Sequence, residues 1–132
     1  MNEYIKIRHI SKGKGKGAFA KKDIKKKTII EVANVILIPN KDYKKIRKTV
    51  LYDYCYIWND PKHKPEFDNA ITLSISQFIN HSFKPNIRYL YDYEMNAIEF
   101  SAIKDIKEGE ELTVNYNGLV NDKSPVWFKV LD

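Results

Sequence analysis

With 132 residues, of which 43% are hydrophobic and 30% charged, the chain can form one domain that buries about two thirds of its unfolded surface without covalent staples. Cys55 is the single cysteine, which excludes an intramolecular disulfide, and with only His9, His63 and His81 to join it a structural zinc site of the usual cysteine-rich four-ligand kind is not expected. The net charge of +6 divides into +11 over residues 1–65 and −5 over residues 66–132, and 20 of the 23 basic residues are Lys, which suits a solvated face better than the Arg forks that read nucleic acids.

From the N-terminus, residues 1–10 carry scattered charges and no signal-like apolar stretch, and no window approaches 18 apolar residues. A soluble cytoplasmic protein is expected, or one of the host nucleus if the source is a virus or an intracellular bacterium. Residues 4–8 alternate and read as a strand. Gly13-Lys14-Gly15-Lys16-Gly17 reads as a flexible turn and fits neither a Walker loop nor a dinucleotide fingerprint. The β-branched runs 28–32 and 35–38 read as two strands. Residues 41–50, entered after Pro39-Asn40, are the best helix candidate. Residues 54–69 are expected to be irregular, a single turn leads from Ser76 into Asn80, and residues 86–91, 97–103 and 111–114 read as strands. Lys22-Asp23-Ile24-Lys25 is echoed by Lys104-Asp105-Ile106-Lys107, as if two similar corners of a compact fold each used an Asp to seed a turn and an Ile to anchor it. The pattern is that of a mainly β protein.

Asn80-His81-Ser82 follows the apolar Phe78-Ile79 and runs into Lys84-Pro85-Asn86. An amide or hydroxyl buried without a partner costs roughly 1–3 kcal/mol, so such a cluster either ties strands together or faces a bound molecule. A Ser/His hydrolase is disfavoured, because Ser82 adjoins His81 and sits in no Gly-x-Ser-x-Gly elbow. Tyr116, just ahead of Asn117-Gly118, puts a phenol at a strand tip. Trp127 and Phe128 are two large aromatics expected to close a pocket or the core. The acidic residues Asp92, Glu94, Glu99, Asp105, Glu108, Glu110 and Glu111 suit a positively charged peptide.

Taken in order, Gly15-Lys16-Gly17-Ala18-Phe19-Ala20, then Phe78-Ile79-Asn80-His81-Ser82 with Pro85-Asn86, then Gly109-Glu110-Glu111-Leu112-Thr113-Val114-Asn115-Tyr116 resemble the successive motifs of the SET-domain protein lysine methyltransferases. The resemblance runs over residues 12–128. It implies a single SET domain over residues 1–132, with a variable insert at about 39–69 and a closing segment at 117–132. The implied fold is a β-clip of small curved sheets with short helices, in which the segment carrying Tyr116 passes beneath a loop near Asn80 as a C-terminal pseudoknot. The implied cofactor is S-adenosyl-L-methionine, lying along the backbone of Lys14, Gly15, Lys16 and Gly17, held by Asn80 and His81 and covered by Trp127 or Phe128. Tyr116 takes the place of the catalytic tyrosine, and Tyr54, Ser76 and Tyr116 those of residues lining the substrate lysine.

The substrate implied is a lysine-containing protein or peptide, such as a histone or another basic protein, with a homodimer as a further expectation and nucleic acid not a direct substrate. Phe83, Asn115, Ser74 and Ser76 depart from the cysteine, acidic residue and glycines common at those places in the family, which bears on how many methyl groups are transferred. Two other readings are a non-catalytic β-clip binding module, in which Phe83, Ser74 and Ser76 fill the cofactor cleft, and a basic nucleic-acid-binding protein built on residues 12–27.

Overall fold

The computed structural model describes residues 2–10, 15–62 and 66–126. Alternation in β1 (Ile5–Ile10) and the small residues of β2 (Gly15–Ala20) let the two strands pair closely, from Ile5 opposite Ala20 to Ile10 opposite Gly15. The described part of the glycine stretch, Gly15-Lys16-Gly17, is therefore strand, where a turn was expected, and Gly13 and Lys14 lie outside the described residues. The backbone freedom of glycine is used at Gly15, whose φ is +65°.

The long strand β3 (Ile29–Ile38) merges the two β-branched runs, and each run has its own partner. Its first half pairs with β8 (Ala97–Ala102), with a bulge between Ile29 and Glu31, and its second half pairs with β5 (Asn69–Thr72). The helix α1 (Asn40–Ile46) stops short of the expected residue 50. Thr49 stops it: its hydroxyl donates to the Ile46 carbonyl at 2.6 Å and accepts from Leu51 N, starting a 3-10 turn at Val50–Tyr54. Residues 54–69, expected to be irregular, contain β4 (Tyr56–Ile57), which pairs with β5. A second 3-10 turn, Ile75–Phe78, leads into β6 (Asn80–His81), and β7 (Ile87–Asp92) and β9 (Glu111–Val114) complete the strands.

These strands form two sheets, ordered β1-β2-β9-β6 and β4-β5-β3-β8-β7. One apolar cluster joins them, with Ile5, Ala18 and Leu112 from the first sheet and Ile87, Ile98 and Phe100 from the second all essentially solvent-free. Trp58, also buried, is boxed by the edges of Tyr91 and Tyr93 at 5.5 and 4.9 Å. The echoed corners meet each other: Ile24 and Ile106 form a bridge with reciprocal 2.8 Å hydrogen bonds. Asp23 accepts from Glu108 N at 2.9 Å, and Asp105 accepts from Lys26 N at 2.8 Å. Among the described residues no helix is long and apolar enough to cross a membrane.

Candidate active site

The site grows from the way β9 is gripped. On one edge it is antiparallel to β2, with Ala18 opposite Leu112, and on the other it runs parallel to β6, with Asn80 opposite Thr113 and His81 opposite Val114. The following turn tightens this hold. Ser82 N donates to Val114 O at 2.9 Å, the Asn86 amide donates to Glu111 O at 2.8 Å, and its oxygen accepts from Thr113 N at 2.9 Å. The Ser82 hydroxyl is occupied as well, accepting from Lys84 N at 2.9 Å. Ser82 and Asn86 are thus the polar knot, and Asn80, His81 and Tyr116 are left to shape a site.

Tyr116 N donates to Nδ1 of His81 at 2.9 Å, which puts the proton of a neutral imidazole on Nε2. The two rings lie 5.2 Å apart, and Phe83 meets the imidazole edge-on at 4.5 Å. The Tyr116 hydroxyl donates to Ile79 O at 3.0 Å, which fixes the phenol against the residue preceding Asn80. The Asn80 amide donates to Lys16 O at 3.2 Å and to the Glu111 carboxylate at 3.0 Å, so one side chain ties β2, β6 and β9 together.

These groups open onto a cavity of about 1010 Å³. Its lining includes Gly15, Lys16, Phe78, Asn80 and His81 together with tyrosines 43, 52, 54, 56, 89, 91, 93 and 116. Burial pushes the phenols of Tyr56, Tyr91 and Tyr116 well above the ordinary tyrosine range, and that of Tyr89 up to about 12. For Tyr116 the hydroxyls of Tyr54 and Tyr89 and the carboxylates of Asp53 and Glu111 push the same way. All four phenols are therefore protonated at neutral pH, and Tyr116 can orient a neighbouring amine but is poorly suited to act as a base.

Of the residues singled out in the sequence, Gly15, Lys16, Tyr54, Asn80, His81 and Tyr116 come together around this cavity. Gly17 is not on the wall and works from behind it: a Cβ there would meet Asn80 Nδ2 and Glu111 Oε2 at 3.1 Å each and Ile10 Cδ1 at 2.4 Å. Ser76 is 1% exposed and lies off the cavity, with its hydroxyl 3.0 Å from that of Ser74 and its backbone N–H donated to Glu31. Ser74 also donates to Glu31. Lys14, Trp127 and Phe128 lie outside the described residues. None of Phe83, Ser74 and Ser76 lines the cavity, so the cleft is not filled by the residues that the binding-module reading required.

Sequence reasoning passed over Asp53, Tyr56, Tyr89 and Gln77. Of these, only Tyr89 carried a signal, as an apolar-phase position of a predicted strand. Gln77 donates to Tyr54 O at 2.8 Å and accepts from the Thr72 hydroxyl at 2.7 Å, which hangs the Val50–Tyr54 turn on the cavity wall.

The model of the SET domain family matches residues 15–117. The chain is 31% identical over 104 residues to a Schizosaccharomyces pombe histone-lysine N-methyltransferase specific for H3 lysine-37, a match covering 78% of this chain and 67% of the relative. Among solved structures it resembles a candidate histone methyltransferase from Plasmodium falciparum, with a TM-score of 0.64 and 25% identity, covering 85% of this chain and 96% of that one. It also resembles ctPRC2 in an autoinhibited conformation bound to S-adenosylmethionine, with a TM-score of 0.71 and 23% identity, over 88% of this chain and 15% of the other.

Proposed function

The chain belongs to the SET-domain family, and from that premise we propose that it transfers a methyl group from S-adenosyl-L-methionine to the ε-amine of a lysine in a protein. The observation that carries this reading is the protonated phenol of Tyr116, held by its hydroxyl on Ile79 O and by its backbone N–H on His81, in one cavity lined by polar groups and tyrosines.

The cavity lies at the upper end of the roughly 300–1,000 Å³ of small-molecule sites, enough for a cofactor and an inserted side chain together. The polar part of the lining suits the cofactor. Gly15 offers main chain with open space where a side chain would project, and Lys16, Asn80, His81 and Phe78 supply a cation, an amide, an imidazole and an aromatic face. S-adenosylmethionine, when bound there, supplies a methyl group already activated on a sulfonium.

The tyrosines of the lining suit the amine. A free lysine is only ~0.1% neutral near pH 7.4, a deficit of roughly 4 kcal/mol, and an aromatic channel reduces it by disfavouring the ammonium form. The Tyr116 hydroxyl accepts from and aligns that amine, with Tyr54 beside it, and alignment accounts for most of what such a transfer asks of a protein. Water carries the proton away. A histone or another basic protein is the expected substrate class.

Radiolabelled methyl transfer to basic proteins, with mass spectrometry of the labelled residue, tests the reading. Tyr116→Phe is expected to lower turnover at least about a hundredfold while cofactor affinity by calorimetry stays within a few fold. Unaltered turnover removes the phenol from the mechanism.

A further inference from the structure

The turn Val50–Tyr54 supplies Tyr52, Asp53 and Tyr54 to the cavity lining, yet it has no buried residue of its own. Its Thr49 cap and the 3.3 Å bond from Cys55 N to Tyr52 O are local. Among the described residues one hydrogen bond ties it to a distant part of the chain, the 2.8 Å bond from the Gln77 amide to Tyr54 O. A stretch with so little burial belongs to the low end of local stability, and its placement depends on whatever fastens it.

The fastener is itself firmly set. Gln77 Oε1 accepts from the Thr72 hydroxyl at 2.7 Å and from Thr72 N at 3.3 Å, and Thr72 is buried, so the amide is turned one way and its nitrogen is left to face Tyr54 O. The 3-10 turn that carries Gln77, Ile75–Phe78, starts on Glu31 of β3, whose carboxylate accepts from Ser76 N at 3.2 Å and from the Ser74 hydroxyl. The same segment runs on into Phe78, Asn80 and His81, the groups suited to the cofactor. Gln77 thus joins a well-anchored segment on the cofactor side to a lightly held one that carries Tyr54.

We propose that Gln77 is a positioning residue that acts through Tyr54, setting the turn so that its tyrosines meet the substrate lysine, and that its loss is felt in substrate binding rather than in cofactor binding. This rests on the methyltransferase reading. The test compares Gln77→Glu with Gln77→Met in the full chain. The carboxyl of Gln77→Glu keeps an acceptor for Thr72, but when ionised it turns an oxygen toward the Tyr54 carbonyl, and when protonated it can donate there as the amide does. Fluorescence anisotropy with a labelled histone H3 tail peptide is read from about pH 8 down to about pH 5, with cofactor calorimetry and methyl transfer in parallel. At neutral pH both variants are expected to bind the peptide about tenfold more weakly than wild type, with KM raised to match and with kcat and cofactor affinity within a few fold. Toward about pH 5 the carboxyl takes up its proton, and Gln77→Glu regains the affinity of wild type at the same pH. Gln77→Met does not, and general damage to the turn would not produce the difference. Unchanged peptide affinity in either variant, cofactor affinity that falls in step with it, parallel pH profiles for the two variants, or no peptide binding by the wild-type protein overturns the inference. The stated binding pattern without methyl transfer by the wild-type protein instead sinks the enzymatic reading and leaves the role of Gln77 standing.

Discussion

Gly17 is held to its identity by the space of one methyl group. The three atoms that a Cβ would meet differ in how far they can yield: Ile10 Cδ1 is the end of a flexible side chain, whereas Asn80 and Glu111 are bonded to each other at 3.0 Å on paired strands. Gly17→Ala is expected to turn the isoleucine aside, lengthen the Asn80–Glu111 bond and cost about 1–3 kcal/mol of stability in urea unfolding. An unmoved midpoint would mean that the corner is looser than drawn. At this scale the sequence was legible where chemistry was incongruous. Asn80, His81 and Tyr116 announced themselves because polar groups beside apolar ones are costly to bury, and all three meet the cavity. Gly17 was not legible, since a glycine in a buried strand and one in a loose turn look alike until the partner strand is known. Ser76 is placed by Glu31, distant along the chain, and Asp53 lies on the cavity lining in a turn that the Gln77 amide holds there.

Among the elements, the paired corners are the clearest case of a sequence echo with a physical cause. Lys27 N donates to Ala102 O and Gly109 N to Ala20 O, both at 2.8 Å, and the backbone φ is 75° at Lys27 and 87° at Gly109. Equivalent corners thus place glycine in the left-handed region once and lysine there once. Because that conformation costs a non-glycine residue about 1–2 kcal/mol, partly offset by the extra freedom of glycine in the unfolded chain, Lys27→Gly is expected to raise stability by up to about 1 kcal/mol. Gly109→Ala is expected to lower it by about 1 kcal/mol, although the added methyl meets nothing within 4 Å. Thermal unfolding of the two variants decides the matter, and shifts of the same sign would contradict the equivalence. The sequence disclosed both corners but not that they bond to each other. Likewise β9 was placed at its observed bounds, whereas β5 and the two-residue β6 were passed over, because a strand that short exists only through its partner.

For the molecule as a whole, the tyrosine-lined cavity couples stability to alkaline pH. Burial holds the Tyr89 phenol at about 12 in the folded state, against about 10 unfolded, so the folded chain keeps the proton that the unfolded chain gives up. The stability this confers is present in full below about pH 10 and is lost as the pH rises through 12, and Tyr56, Tyr91 and Tyr116, raised for the same leading reason, act in the same direction. Tyrosinate absorbance is expected to rise in step with the loss of near-ultraviolet circular dichroism. Folded protein whose nine tyrosines all titrate together near pH 10 would contradict the burial. Composition and alternation were enough to give a mainly β chain. They were silent on the cavity, which draws its walls from β2, α1, β4, β6 and β7 and so has no counterpart in any local stretch.

The seating of β9 between β2 and β6 also bears on how the protein comes into being. The strand that completes the sheet, and the phenol just past it, are encoded more than thirty positions after the imidazole they meet and about a hundred after the glycine-rich strand. A nascent polypeptide stopped before Glu111 would thus carry every other wall of the cavity with an open seam down its middle. The last strand to be made thus brings with it both the seam of its sheet and the phenol of the site.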